Sequence, residues 1–324
     1  MTTVMVTGVG AIMGYGLLRS LRQARPHVRL IGADIHADAV GQAWCDAFEH
    51  APLTSSAAYP EWLRDVVARH AVELLIPGFE QDVHRLSSER DMLAGLDCAM
   101  VLNDARLVEL SQDKWAMHQE LRAVGDELRI PSFLEGDFDA LAAMLGLPFI
   151  LKPRRSYAGK GLVRVQCRDD FAAHAASLGE VLMAQPLIGC DDEEYTVGVF
   201  GDGRGAVSCA ITMRRRLALD GATAKAWVCQ DASLDDAVCR LCRHFRPVGP
   251  TNLQFRRDAA GWKLLEINPR VSSTTSMRAA FGYNEGAMCM DYYLDGALPA
   301  QPRIRSGFAV RYIQDYVIHD RDHF

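Results

Sequence analysis

The chain contains the stretch Lys263-Leu264-Leu265-Glu266-Ile267-Asn268-Pro269-Arg270, whose apolar residues predict a buried strand. Pro269 ends that strand, because proline has no amide hydrogen to give to a sheet. Glu266 lies inside the apolar run, where a carboxylate without a partner would be costly to bury. Residues two apart on a strand point to the same face, so Glu266 and Asn268 project together. The stretch therefore predicts a functional strand rather than an exposed edge hairpin.

A second strand is predicted just before it, over residues 252–256, and the turn Asp258-Ala259-Ala260-Gly261 separates the two. Such a short turn predicts a hairpin, which places Gln254 across from the first strand. Carboxylate and amide oxygens, completed by phosphates and water, are the ligands that Mg²⁺ prefers. Gln254, Glu266 and Asn268 therefore predict a metal site for Mg²⁺, with Mn²⁺ as an alternative.

Basic residues near other predicted strands indicate anion binding. Arg270 can hold a phosphate or a substrate carboxylate through two hydrogen bonds. A loop at residues 152–161 begins with Lys152 and offers Ser156, Gly159 and Gly161. Its glycines let backbone amides turn toward an anion, while its cations supply charge. Phosphate binding and a solvated basic turn both remain open for this loop.

The first hundred residues alternate predicted strands and helices, which indicates a doubly wound parallel sheet. Gly8, Gly10 and Gly14 follow the first strand, and Asp34 ends the second. This arrangement could bind a nicotinamide dinucleotide, although the glycine spacing is one residue longer than the usual fingerprint. A tight strand-to-helix turn is the alternative interpretation.

The remaining chain predicts two further units. Residues 107–187 indicate a small α+β module, and the rest is rich in strands. No internal repeat or long linker is visible.

Bulk composition excludes several functional classes. The net charge of -6 offers no basic field for nucleic acid, and no apolar run reaches the roughly 20 residues of a membrane span. The N-terminus shows no secretory signal. Nine scattered cysteines indicate reduced thiols, so we expect a cytoplasmic protein.

The motifs together resemble the ATP-grasp superfamily, and most closely its carbamoyl-phosphate-synthase-like branch. The order and approximate spacing of the motifs match over nearly the whole chain, from Val4 to about Gly296, and six stretches carry the resemblance. They are Asp113-Lys114, the loop 152–161, Gln185 to Leu187, Glu194-Tyr195-Thr196-Val197, Asn252-Leu253-Gln254-Phe255 and Glu266-Ile267-Asn268-Pro269-Arg270.

The resemblance implies an α/β fold in three parts. A pre-ATP-grasp domain with the doubly wound parallel sheet would span residues 1–111. The ATP-grasp fold would follow, with a small α+β lid at residues 112–187 and a strand-rich C-terminal subdomain at residues 188–324. In this superfamily the first domain usually helps to bind the acceptor substrate, which weakens the dinucleotide interpretation.

The resemblance also implies roles for individual residues. Lys114 and Lys152 would hold nucleotide phosphates, with the loop residues Ser156, Gly159 and Gly161. Gln185 and Leu187 would flank adenine, and Glu194 would bind the ribose, with Glu193 as a rival. Gln254, Glu266 and Asn268 would bind magnesium, and Arg270 would stabilise the transferred phosphate. One of Arg214, Arg215 and Arg216 would meet the γ-phosphate.

The implied activity is an ATP-dependent carboxylate–amine ligase that works through an acyl phosphate and releases ADP and phosphate. Arg270 and Lys152 would be catalytic, and the partners would be a small carboxylate and a small amine, with a homodimer left open. Glu80 could hold the amine, although helix capping is an equal alternative. A phosphotransferase, a nicotinamide-dependent oxidoreductase and a nucleotide sensor are rival functions. Carbamoyl phosphate synthases carry two such units, whereas this sequence has one.

Overall fold

The computed structural model describes residues 1–156, 161–190, 192–218 and 221–317. It contains three β-sheets, one within each of the three predicted ranges. The predicted α/β class is therefore confirmed, while the domain boundaries themselves stay a prediction. None of the described helices is long and apolar enough to cross a membrane.

The N-terminal unit is built on a parallel sheet. Its strands are β1 (Thr3–Thr7), β2 (Arg29–Asp34), β3 (Ala47–His50), β4 (Leu74–Ile76) and β5 (Ala99–Met100). Its helices are α1 (Ile12–Ala24), α2 (Tyr59–His70), α3 (Glu80–Ser88), α4 (Arg90–Leu93) and α5 (Ala105–Ser111), with a 3-10 turn at Val40–Trp44. The strand order is β3-β2-β1-β4-β5. Val4 and Met5 on β1 belong to different core clusters, so both faces of the sheet are covered, as a parallel sheet requires.

The glycine turn after β1 brings strand and helix very close together. Gly8 has φ +60°, and a Cβ on Gly14 would lie 2.2 Å from the Gly8 carbonyl oxygen. Only glycine fits there, which supports the predicted tight turn.

Helix α6 (Lys114–Glu120) leads out of the N-terminal unit, followed by 3-10 turns at Leu121–Ala123 and Asp126–Leu128. Leu107, Met117, Leu121 and Leu128 of this region share a core with the C-terminal sheet. This part of the chain is therefore packed on the C-terminal unit rather than on the lid.

The lid has an antiparallel sheet and a core of its own. Its strands are β6 (Phe149–Pro153), β7 (Val163–Val165) and β8 (Leu182–Pro186), in the order β7-β6-β8, and its helices are α7 (Phe138–Leu145) and α8 (Arg168–Ala172), with a 3-10 turn at Ala175–Ser177. Leu141, Phe149 and Phe171 pack together in its centre. The helix predicted over residues 169–178 is therefore shorter in the structure: α8 ends at Ala172, and the 3-10 turn follows it.

The C-terminal unit is a six-stranded antiparallel sheet. Its strands are β9 (Glu194–Asp202), β10 (Val207–Leu217), β11 (Thr223–Cys229), β12 (Val248–Asp258), β13 (Gly261–Asn268) and β14 (Phe308–Val310), in the order β13-β12-β9-β10-β11-β14. Its helices are α9 (Ala232–Phe245), α10 (Thr275–Ala280) and α11 (Glu285–Tyr293). Asp258 pairs with Gly261, which confirms the predicted hairpin.

Candidate active site

The predicted metal ligands meet on neighbouring strands. Gln254 on β12 is directly opposite Glu266 on β13, and the Asn268 amide Nδ2 donates to Glu266 Oε1 at 3.2 Å. The register of the β12–β13 ladder shifts between Gln254 and Phe255. The pairing of Gln254 with Glu266 therefore does not follow from counting residues back from the hairpin turn. The structure therefore brings all three predicted ligands together on one sheet face.

Two lysines surround the Glu266 carboxylate. Burial by itself would raise the pKa of Glu266, but Lys152 and then Lys114 outweigh it and hold that pKa below its usual value. Burial lowers the pKa of Lys152, with Lys114 adding to the effect and Glu266 opposing it. Burial likewise lowers the pKa of Lys114. The charges of both lysine ammonium groups thus act on the Glu266 carboxylate. Both ammonium groups would also stabilise an incoming anion.

The donor set fits a metal that arrives with a nucleotide. It offers one carboxylate and two amide groups, and the described part of the chain holds no group of three or more His, Cys, Asp or Glu side chains arranged for a metal ion. Mg²⁺ is commonly bound by one or two carboxylates plus substrate phosphates and water, without an all-protein cage. Glu266, Asn268 and Gln254 fit that mode of binding.

A narrow cleft with a volume of about 30 Å³ lies beside this charged group, between the lid and the C-terminal sheet. Its walls are mostly apolar, with Met183 on one side and Leu264 and Ile267 on the other, and Lys114 and Glu266 at its polar end. The Gln185 side chain lines it and donates to Ser132 Oγ at 2.8 Å, while its backbone pairs with Ile150 of β6. Leu187 lies just past β8 and is 38% exposed. An apolar slot ending in cations suits a base with phosphates attached.

The loop after Lys152 is tied to α6. Lys114 Nζ donates to the Ser156 carbonyl oxygen at 2.7 Å, and the Lys114 amide donates to the Arg154 carbonyl oxygen at 2.9 Å. Gly161 has φ +78°, a conformation that favours glycine. Gly159 lies outside the described residues.

Glu194 is buried and holds two arginines. Arg215 Nη2 lies 2.6 Å from its Oε1, and Arg256 Nη2 lies 3.1 Å from its Oε2. A ribose hydroxyl that binds Glu194, as predicted, would therefore compete with these two arginines for the carboxylate oxygens or use the lone pairs that the arginines leave free.

The three arginines at the end of β10 have different environments. Arg215 is buried and faces Glu194. Arg214 lies over the ring of Trp227 at 5.3 Å, and Arg216 contacts the exposed Asp192. Arg215 is thus the one on the site face of the sheet.

Arg270 connects the metal strand to the N-terminal unit. Its Nη2 donates to Asn268 Oδ1 at 3.1 Å, and its Nε lies 3.2 Å from Glu80 Oε2. Glu80 makes no capping hydrogen bond at the start of α3, so the capping alternative for this residue is wrong.

Two further arginines at the site were not singled out from the sequence. Arg256 is two residues from Gln254 on the same strand, and that period-two spacing could have revealed it. Arg278 is fully buried against the C-terminal sheet. Its Nη2 donates to Thr196 Oγ1 at 3.0 Å and to Asn252 Oδ1 at 2.5 Å. No local sequence signal indicates that contact.

The fold and the site are similar to those of the ATP-grasp superfamily, and one set of its motifs is present among the described residues. Residues 180–316 match the family described as ATP-grasp in the biosynthetic pathway with Ter operon. Among solved structures, N5-carboxyaminoimidazole synthetase from Staphylococcus aureus complexed with ADP is similar at a TM-score of 0.71 and 17% identity, over 94% of this chain and 80% of that one. The biotin carboxylase domain of Hydrogenobacter thermophilus 2-oxoglutarate carboxylase gives a TM-score of 0.70 and 14% identity, over 95% and 73%.

Curated relatives match smaller parts of the chain. Formate-dependent phosphoribosylglycinamide formyltransferase of Synechococcus sp. (strain CC9605) is 30% identical over 52% of this chain, which spans 41% of that relative. D-alanine–D-alanine ligase of Cupriavidus necator is 41% identical over 22% of each chain. The chain thus spans well under two thirds of these relatives. These findings support the resemblance to the ATP-grasp superfamily, and the carbamoyl-phosphate-synthase-like branch stays a resemblance.

Proposed function

We propose that this protein is an ATP-dependent, ADP-forming ligase that joins a small carboxylate to an amine. The observation that carries the proposal is that Lys114 and Glu266 line the same end of the cleft, where the charges of Lys152 and Lys114 both act on the Glu266 carboxylate. A carboxylate there can share a metal ion with the phosphates while the lysines offset their charge. Mg²⁺, when bound, would neutralise phosphate charge in the transition state. The similarity to ligases and synthetases supports this reaction class.

The reaction would have two steps. A carboxylate oxygen attacks the γ-phosphorus of ATP, the bond to the bridging oxygen breaks, and ADP leaves with its electron pair. The lone pair of the neutral amine then attacks the acyl carbon, and the C–O bond breaks so that phosphate leaves with that electron pair. The nitrogen gives its surplus proton to phosphate or solvent, and an amide remains.

The side chains would act mainly by position and charge. Lys114 and Lys152 would hold the phosphates, and Arg215, on the same sheet face, would be the arginine nearest the γ-phosphate. Arg270 would stabilise the acyl phosphate, because its guanidinium is already oriented by Asn268 and Glu80. Preorganised charges of this kind supply much of the catalysis in phosphoryl transfer. Gln185 and Leu187 would flank adenine, and the prediction of a homodimer stays open.

The test is ADP release with pooled amino acids and small organic acids. We expect at least one pool to stimulate release by the wild-type protein, and Glu266→Ala to reduce the rate by a factor on the order of 100 or more. Glu61→Ala, which removes an exposed carboxylate from α2, is the matched control and should leave the rate unchanged. Absence of Glu266-dependent ADP release from every pool would refute the proposal.

Hydroxylamine separates a ligase from a phosphotransferase. An acyl phosphate is trapped by hydroxylamine as a hydroxamate, whereas a phosphotransferase accumulates a stable phosphorylated product. Hydroxamate formation that requires both ATP and the active pool is the expected result.

A further inference from the structure

A second and much larger cavity lies in the N-terminal unit, away from the ATP cleft. It has a volume of about 970 Å³ and lies at the carboxyl ends of the parallel strands. The strand order reverses there, between β1 and β4: β2 and β3 lie on one side of β1, and β4 and β5 lie on the other. Open α/β sheets bind ligands at such a switch point. Helix α3 forms one wall, and its first residue, Glu80, contacts Arg270 of the ATP site. Because Phe79 and Gln81 on either side of Glu80 line the cavity, α3 connects the cavity with the metal strand.

Two carboxylates line this cavity without a cationic partner. Asp34 is 7% exposed and Asp82 is 4% exposed. Asp34 accepts from the Gly10 and His36 amides, and Asp82 accepts from the Thr54 hydroxyl. Neither makes an ion pair within the part of the chain that the structure describes. Because a buried carboxylate without a cation is costly, this wall is suited to receive one.

A third polar group points to the same place. Tyr59 is 2% exposed and lines the cavity, and its hydroxyl lies near Asp82 with no well-formed hydrogen bond among the described residues. Burial and then the nearby Asp82 charge raise the pKa of Tyr59 well above its usual value. The hydroxyl therefore stays protonated and is available to a ligand.

Phosphate is disfavoured in this cavity. The Gly10 amide, which would face a phosphate in a dinucleotide site, instead donates to Asp34 Oδ2 at 2.7 Å. No lysine is among the described lining residues, and the one arginine there, Arg85, is ion-paired with Glu89 at 2.7 Å. Burial lowers the pKa of His84, so its ring is neutral at pH 7. A phosphate would meet carboxylates rather than cations.

The rest of the lining is apolar. Leu53 and Phe79 are 61% and 40% exposed at the cavity wall, and Trp62 lies behind them. Exposed aliphatic and aromatic side chains around a few buried polar groups are typical of a site for a small organic molecule. Within the described residues no cluster suited to a metal ion is found, which argues against a metal between the carboxylates.

We propose that this cavity binds an amine-bearing ligand with an apolar body and no phosphate, the ammonium lying between Asp34 and Asp82. Resting on the proposed ligase function, the inference further assigns this ligand as the amine that attacks the acyl phosphate, once its ammonium has given a proton to one of the two carboxylates. A ligand without phosphate would distinguish this protein from relatives whose names include a phosphoribosyl group.

The test is ligand binding to the full chain without ATP, by titration with ligand-observed NMR. The probes are phenethylamine, 3-phenylpropionate, ribose 5-phosphate and NAD⁺. We expect phenethylamine to bind roughly tenfold more tightly than 3-phenylpropionate, the effect of about one charge-assisted hydrogen bond, and tighter than ribose 5-phosphate or NAD⁺. Asp82→Asn should remove most of that preference, whereas Asp91→Asn, an exposed carboxylate on α4, should keep it.

Preference for ribose 5-phosphate or NAD⁺, equal binding of amine and acid, or no binding of any probe would each overturn the inference. The comparison of probes on the wild-type protein decides the matter even if Asp82→Asn does not fold. ADP release is measured separately, so the failure of either proposal can be recognised alone. Amine binding without Glu266-dependent ADP release would leave the cavity assignment and remove the ligase.

Discussion

Arg270 and Glu80 join the end of the metal strand to the first turn of α3, with Arg270 Nε 3.2 Å from Glu80 Oε2. The contact links residues 190 positions apart, one from the C-terminal sheet and one from the N-terminal unit. It holds Arg270 where the C-terminal sheet meets the N-terminal unit.

A double-mutant cycle should detect this contact. The two side chains are 18% and 26% exposed, so we expect Arg270→Ala and Glu80→Gln to be coupled by about 1 kcal/mol in the free energy of unfolding. Urea denaturation of the four proteins gives the value. Additive effects would mean that the ion pair does not form in solution.

Lys152 should contribute to nucleotide binding through charge. Its ammonium is poorly hydrated and stands beside Lys114 and Glu266, so Lys152→Ala should weaken ATP binding roughly 10- to 100-fold, as loss of a charge-assisted contact does. Isothermal titration calorimetry with Mg²⁺ and a non-hydrolysable ATP analogue measures it. Lys225→Ala removes an exposed lysine from β11 and should bind the analogue like the wild type; equal affinity of both variants would contradict the role of Lys152.

Arg278 and Glu285 form an ion pair in which both side chains are 0% exposed. Arg278→Met leaves the Glu285 carboxylate buried without its cation, and should cost about 3–5 kcal/mol of unfolding free energy. The double variant Arg278→Met/Glu285→Leu removes both charges and should recover much of that loss. Urea denaturation tests this order, with Arg122→Met as an exposed control. A double variant less stable than Arg278→Met would contradict it.

Asp113 should make stability depend on pH. Burial would raise its pKa, but Arg154 and the backbone amides of α6 outweigh burial and lower it. A carboxyl group with a lowered pKa in the folded state stabilises the fold fully above its unfolded pKa of about 3.9, and loses this contribution as pH falls through the folded value.

The difference between wild type and Asp113→Asn should therefore be about 1 kcal/mol at pH 7 and shrink below about pH 4. Chemical denaturation across that range measures it. A difference that stays constant down to pH 3 would exclude the ion pair with Arg154 as its source.

Local patterns predicted the central part of the site. The short turn predicted the hairpin that brings Gln254 near Glu266, although the exact pairing depends on a register shift between Gln254 and Phe255 that the sequence did not reveal. The parallel sheet followed from alternating strands and helices. Predicted strand and helix ends were less accurate: the helix expected over residues 83–93 divides at Glu89, where ψ is 19°.

Other features depend on tertiary contacts. Strand β14 pairs with β11 across more than 80 residues, and neither strand was predicted. The Arg278 contacts join α10 to two strands of the sheet, and nothing in the local sequence specifies them. The ribose role of Glu194 stays a prediction. Its ion pairs with two arginines could not be predicted, because they form only where β9, β10 and β12 lie side by side.

The separate core of the lid bears on how a nucleotide would enter. The buried apolar residues at its centre lie between Leu141 and Ala184, so swinging the lid outward would leave every apolar cluster intact. What must break instead are polar contacts to α6, such as Lys114 with the Ser156 carbonyl oxygen and Asp113 with Arg154. Water replaces such contacts readily, so opening is expected to be frequent and sensitive to ionic strength.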